Sequence, residues 1–355
     1  MHIHGLRFAL KSAYHVEVRP NSRHATLASE LIRSLRGRRS QTALSRRMGY
    51  RSNIVHRWEA GNCWPTAARF LSLCTRVGVD LEGSFTRFYG RRPGWLNERR
   101  LATSETVVDF LNDLRGRTPI KTVAAVAGMN RFAVSRWLRG RAEPRLPDFL
   151  ALIEAISRRL VDFISVLTDP ATLPSLAREA AELTRARELA YASPWSHATL
   201  RAMELAEHAT LDFRDADDEV AWFASVLGID RTDVQDALEA LENTGQIQRR
   251  RGRRVLHRVL DVNTGRDLER ARQVKATWTA AALERLRAGS AGLFGYSLFA
   301  ISRADLQRLR EVQLEYVREM QSIISQSRAP ECVGLYAVQL LDLSVPERNA
   351  LRADE

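Results

Sequence analysis

The stretch SQTALSRRMGYRSNIVHRWEAGNCWP, residues 40–65, decides the fold of this chain. Gln41 opens a short helix whose buried face is marked by Leu44 and Met48 at i, i+4 spacing. Gly49 and Tyr50 make a tight bend. A second short helix follows, with Ile54, Val55 and Trp58 turned inward and Arg51, Ser52, Asn53, His56 and Arg57 turned outward, and it stops at Gly61. Two short helices joined by a glycine turn, the second with a polar and basic outer face, form a layout suited to placing that helix in the major groove of DNA.

Composition supports a nucleic-acid partner. The chain has 355 residues, a length that suggests two or three domains with real cores. Residues 1–170 hold 29 Lys and Arg against 14 Asp and Glu, whereas residues 171–355 hold 25 against 28. The whole net charge of +12 is therefore carried by the first half. Only Lys11, Lys121 and Lys275 are lysines among the 54 basic residues. Arginine suits bidentate phosphate and guanine contacts, although a GC-rich genome is the better account of the bias. No apolar run reaches membrane-span length, and the N-terminal apolar run is too short for a secretory signal. Cys63, Cys74 and Cys332 are too scattered for a zinc site or a disulfide framework. These features lead us to expect a cytoplasmic protein without a cofactor or a membrane partner.

Around the opening stretch, Ala28, Leu31, Ile32 and Leu35 predict an amphipathic helix, followed by the basic residues Arg36, Arg38 and Arg39. After Pro65, further helices are expected over Ala68–Val77 and Leu81–Tyr89, which makes residues 26–90 a five-helix domain. Gln41, Leu44, Ser45, Gly49, Val55, Trp58-Glu59-x-Gly61 and Pro65 together resemble the phage-repressor or Cro-type helix-turn-helix family. That resemblance implies that Gln41 contacts a phosphate, that Ser52, Asn53 and Arg57 face base edges, and that Arg51 and His56 lie near the DNA backbone.

The chain then repeats itself at an ungapped offset of 79 residues. Leu35-Arg36-Gly37 recurs as Leu114-Arg115-Gly116, Gly49 as Gly128, Arg57-Trp58 as Arg136-Trp137, Gly61 as Gly140, Pro65 as Pro144, and Phe70-Leu71 as Phe149-Leu150. Residues 104–168 are thus expected to form a second, diverged helix-turn-helix domain. In it Gln41 becomes Ile120, Asn53 becomes Phe132 and Glu59 becomes Leu138, while Arg131, Arg136 and Arg139 keep the outer face basic. Two roles stay open for this copy. It reads a different half-site, with Phe132 on a thymine methyl, or it grips phosphate or another subunit as a degenerate copy.

Residues 171–194 read as a connecting helix. Over residues 195–262, three helices precede a hairpin from Gln246 to Val259 that turns at Gly252, the element order of a winged helix. The hairpin tip, Arg249, Arg250, Arg251, Arg253 and Arg254, is a wing candidate for phosphate or the minor groove. The presumed reading helix is acidic, with Asp230, Asp233, Asp236, Glu239 and Glu242, which argues for dimer contacts or regulation instead. Residues 263–355 are expected to form a helical and small-sheet region, with helices over Leu268–Leu286 and Ala304–Ile324 and strands over Gly295–Ile301 and Val333–Leu341. Trp195-Ser196-His197, Trp222, Leu227-Gly228-Ile229 and Ala237-Leu238-x-x-Leu241 resemble an uncharacterised bacterial family often fused to repressor-type helix-turn-helix domains.

The fold class expected is mainly α, with two tandem helix-turn-helix domains, a winged-helix-like domain and a small α+β end. The function expected is sequence-specific regulation of transcription on double-stranded DNA, by a homodimer whose C-terminal half answers to a small-molecule or protein effector. An antitoxin or phage-defence component holding a protein partner, and a non-specific architectural DNA binder, are the alternatives. No catalytic constellation is evident: His2-x-His4 reads as a plain N-terminal segment, and the acids from Asp212 to Glu219 read as the start of a helix.

Overall fold

A computed structural model describes residues 20–96, 101–250, 252–257 and 262–344. The protein is mainly helical, with one small two-stranded sheet. It divides into two compact units, Met1–Leu183 and Thr184–Glu355.

The first unit opens with α1 (Pro20–Arg36), α2 (Gln41–Arg47), α3 (Ile54–Glu59), α4 (Ala67–Val77) and α5 (Leu81–Tyr89). Each start after α1 is set by a short polar side chain that takes up an otherwise orphaned backbone N–H. Ser40, Asn53, Thr66 and Asp80 accept from Ala43, His56, Arg69 and Gly83 respectively. Gly49, at φ 83°, makes the turn between α2 and α3 in the left-handed region that glycine alone adopts cheaply. Leu44, Met48, Val55 and Trp58 then close a small core against α1. The second repeat supplies α6 (Ser104–Arg115), α7 (Ile120–Val126), α8 (Arg131–Leu138), α9 (Leu146–Ser157) and α10 (Leu160–Ser165), with Gly128 in the place of Gly49.

The repeats do not close separately. The amide of Ala67 donates to the carbonyl of Pro144 at 2.9 Å, and the amide of Leu146 donates to the carbonyl of Pro65, also at 2.9 Å. These bonds flank an antiparallel bridge between Thr66 and Arg145. At the 79-residue offset, 65 pairs with 144, 66 with 145 and 67 with 146, so each bond is the other with the repeats exchanged. Such reciprocity is the mark of a two-fold relation. Helix packing across the repeats is shared but unequal: α1 packs chiefly on α9 of the other repeat, while α6 packs on both α9 and α4. Helix α1 begins at Pro20, before the boundary expected at residue 26, and one core serves both repeats. Its centre is Phe110, whose ring lies 5.2 Å from that of Phe85, 5.5 Å from Phe163, 5.9 Å from Phe88 and 6.0 Å from Phe149. Pairs of this kind stabilise by about 0.5–1.5 kcal/mol each beyond their burial. At the α1–α9 contact, Glu154 accepts from His24 Nε2 at 2.6 Å and Arg23 Nη1 at 3.0 Å. Burial alone would push Glu154 up, but the His24 hydrogen bond and the Arg23 charge outweigh it and hold the carboxyl below its ordinary value.

Helix α11 (Ala177–Ala192) runs from the first unit into the second. Beyond it, α12 (Pro194–Ala202), α13 (Ala206–Thr210), α14 (Ala216–Leu227) and α15 (Arg231–Asn243) precede a hairpin of β1 (Ile247–Arg250) and β2 (Arg253–Leu256). The strands are antiparallel, with Ile247 opposite Leu256 and Arg250 opposite Arg253. Leu200, Met203, Phe223, Leu227, Val234, Leu238, Leu241 and Ile247 form the core of this unit. Two long helices follow, α16 (Leu268–Arg287) and α17 (Arg303–Gln326).

The strands expected at Gly295–Ile301 and Val333–Leu341 are absent, and the hairpin is the only sheet among the described residues. Strand composition does not suffice: an extended segment needs a neighbour for its N–H and C=O groups. Here both segments run without one, and Leu293, Tyr296, Leu298, Leu335 and Leu341 stand exposed.

Candidate nucleic-acid interface

The outer face of α3 is built by its cap and its last turn. Val55 and Trp58 are buried, which turns His56 and Arg57 outward, and Arg51 and Ser52 precede the helix on the same exposed side. The side chains of Arg51, His56 and Arg57 make no hydrogen bond or ion pair among the described residues. Arg38 is exposed likewise, while Arg39 donates to the carbonyls of Arg36 and Val77 at 3.4 Å. In the second repeat Arg131, Phe132, Arg136 and Arg139 are all exposed, Phe132 by 76%.

Two of the residues expected to touch DNA are engaged inward. Asn53 Oδ1 caps α3 at His56 N (3.3 Å) and accepts from Ser45 Oγ (3.2 Å). Bidentate reading of adenine needs both the oxygen and the nitrogen of the amide, so Asn53 serves here as a cap, not as that reader. Gln41 donates from Nε2 to Glu59 Oε2 at 2.8 Å, and Glu59 also accepts from Arg36 Nε at 2.5 Å. That carboxylate is buried, so the Gln41 amide nitrogen is committed to it and not to phosphate. Gln41, Ser45 and Asn53 are thus parts that hold α2 and α3 together.

Sequence reasoning missed other arginines on the same surface. Arg46 and Arg47 on α2, and Arg141 after α8, are exposed with no side-chain partner among the described residues. A readable signal existed: from residue 31 to 79 the single acid is Glu59, and from 114 to 142 there is none. With Glu59 buried and neutralised by Arg36, no exposed carboxylate from either stretch offsets its arginines. Between the repeats lies a cleft of about 550 Å³ lined by Tyr50, Trp58, Trp64, Arg69, Glu143 and Arg145 among others.

The wing behaves differently. Arg254 is buried and pairs with Glu219 and Glu242, each at 2.7 Å, and Arg249 pairs with Glu242 at 3.1 Å. Arg253 donates to the carbonyl of Leu211. Three of the five wing arginines therefore tie the hairpin to the body of the unit, because Glu219 and Glu242 on α14 and α15 lie within reach. Only Arg250 is both described and exposed without such a tie, and Arg251 lies outside the described residues. Burial would raise Glu219, but the neighbouring His208 ring and the Arg254 hydrogen bond hold it below its ordinary value. On α15, Asp233, Asp236 and Glu239 are exposed, which makes that face acidic. The acids before α14 are accounted for by local bonds: Asp215 caps the helix, Asp217 pairs with Arg231 and Asp218 with Arg214.

No group of three or more His, Cys, Asp or Glu that could hold a metal occurs among the described residues, and His2 and His4 lie outside them. No described helix is long and apolar enough to cross a membrane. No curated protein and no solved structure matches the chain. Residues 177–343 match a family model described as a domain of unknown function (DUF4423), the segment for which the sequence resembles an uncharacterised family.

Proposed function

We propose that this protein is a sequence-specific regulator that binds double-stranded DNA, with α2–α3 acting as a repressor-type helix-turn-helix and α3 entering the major groove. The observation that carries this reading is the outer face of α3, where Arg51, His56 and Arg57 stand exposed and unpaired beside Arg46 and Arg47 and residues 31–79 add no exposed carboxylate. Unpaired arginines favour phosphate and guanine, and their charge is not cancelled locally. The α7–α8 pair takes the same role in the second repeat, with Arg131, Phe132, Arg136 and Arg139. The second unit, in which four helices α12–α15 precede the hairpin where three were expected, is read as a winged-helix-like module used for regulation or self-association, because the exposed face of α15 repels DNA.

The test is selection of bound fragments from a genomic DNA library by the purified full chain at physiological salt. A defined motif is expected, and Arg51→Ala with Arg57→Ala should abolish it while leaving weak non-specific binding. Equal affinity for every duplex would support an architectural protein instead, and no enrichment would overturn the reading.

A second reading rests on the exposed apolar residues of 293–301 and 335–341. A surface of this kind marks a protein contact, so the C-terminal half holds a second copy or an effector protein. Co-purification of a stoichiometric partner of another sequence would favour an antitoxin-like role.

A further inference from the structure

We propose that one chain presents α3 and α8 as a built-in pair to the two halves of a single inverted DNA site, and that the two halves differ in base sequence. This deepens the DNA-binding reading and rests on it. Regulators with one helix-turn-helix per chain need two chains to meet the two-fold symmetry of an operator. Here the two-fold relation lies inside one chain. The reciprocal bonds Ala67 N to Pro144 O and Leu146 N to Pro65 O, with Thr66 opposite Arg145 between them, put the local axis at the residues that follow each reading helix. A direct repeat would need the two helices related by translation, which this exchange of equivalent bonds excludes.

The axis also limits the reach. From the middle of α3 to Thr66 the chain runs about half a helical turn and then seven residues. At roughly 1.5 Å per helical residue and at most about 3.5 Å per extended residue, α3 lies no more than about 30 Å from the axis. The separation of α3 and α8 is therefore below about 60 Å. Major-groove half-sites on one face of a duplex recur every 34–36 Å, so a one-turn spacing fits and a two-turn spacing does not. The pairing is permanent, because α1 packs on α9, α6 on α4, and Phe110 gathers rings from both repeats.

The reading faces are alike at one position and unlike at others. At the 79-residue offset Arg57 corresponds to Arg136, which predicts a guanine at the same place in both halves. Ser52 corresponds to Arg131, Asn53 to Phe132 and His56 to Ser135. The exposed Phe132 ring, flanked by Arg131 and Arg136, suits a thymine methyl, for which the first repeat has no counterpart. The site is therefore an inverted repeat in overall layout and asymmetric in its bases.

The experiment takes the motif selected by the full chain and places it in duplexes of about 30 base pairs. Native mass spectrometry reads the ratio of chains to duplexes, and titration reads affinity. One chain per duplex is expected, as 1:1 complexes or as 2:2 complexes if chains also associate elsewhere. Inserting five base pairs between the halves should weaken binding about 10- to 100-fold. Arg57→Ala should relax base preference in one half alone, and Arg136→Ala in the other alone. Two chains on one duplex, a direct-repeat motif, or Arg136→Ala with unchanged preference in both halves would overturn the proposal while leaving DNA binding intact. Absence of any enriched sequence would instead overturn the reading on which it rests.

Discussion

Glu59 is the residue whose replacement tests the local architecture most sharply. It closes α3, is buried, and accepts from Arg36 Nε at 2.5 Å, Arg36 Nη2 at 3.3 Å and Gln41 Nε2 at 2.8 Å. Glu59→Ala leaves a guanidinium and an amide without their shared acceptor. Breaking a buried pair from one side costs about 3–5 kcal/mol. Arg36 keeps hydrogen bonds to the carbonyls of Gly37 (3.1 Å) and Arg39 (2.7 Å), which places the expected loss near the lower end. About 3 kcal/mol corresponds to roughly 100-fold more frequent opening of α2 and α3. The assay is amide hydrogen exchange in the full chain, read on peptides covering residues 41–60. The second repeat provides a comparison, because it does without the carboxylate and leaves Arg115 Nε buried with no partner among the described residues. Ile120 and Leu138 stand where Gln41 and Glu59 do, and Arg115 turns to the Thr118 carbonyl at 2.9 Å and Asn112 Oδ1 at 3.4 Å. Gln41→Ile with Glu59→Leu should therefore open less than the two single changes together imply, by at least about 1 kcal/mol of coupling. Unchanged exchange in Glu59→Ala, or strict additivity in the pair, would refute the reasoning.

Three further outcomes follow from the same contacts. Asn53→Ala removes the cap of α3 and should cost about 1 kcal/mol, whereas Asn53→Asp keeps an acceptor and should cost much less, as read by exchange of the His56 amide. Glu154 sits below its ordinary value of 4.5 when folded, so its contribution is complete above that value and is lost as the pH falls beneath it. The thermal stability of the first unit should thus fall on acidification through the range below 4.5, and Glu154→Gln should flatten that dependence. Arg254→Ala strands the buried Glu219 and should loosen β1 and β2 by several kcal/mol, visible in exchange over residues 247–256, without changing DNA affinity.

Much of this architecture is legible in the chain itself, because local chemistry dictates it. Gly49 and Gly128 mark turns where φ must be positive, and the spacing of Leu44, Met48, Val55 and Trp58 leaves one way to bury an apolar face. The 79-residue repeat and the concentration of positive charge in the first half are likewise plain from the residues. Less could be read where a side chain must choose among partners distant in sequence. Gln41 and Glu59 lie 18 positions apart, and Glu219 and Arg254 lie 35 apart, so only folding brings them within hydrogen-bond reach. Without those contacts, Gln41 and Arg254 look like surface groups aimed at DNA.

The strands expected after residue 290 failed for a related reason, since composition records that a segment can be extended but not whether a neighbour exists to pair with it. The sequence by itself determined most helices, their glycine turns and which faces are basic, all of which depend on residues within one or two turns of each other, and it displayed the duplication directly. Tertiary structure alone decided that the two copies exchange helices about a shared axis and that most of the wing is tied inward. Those outcomes depend on which surfaces bury together, and burial is settled by the whole fold at once, not by any one stretch of it.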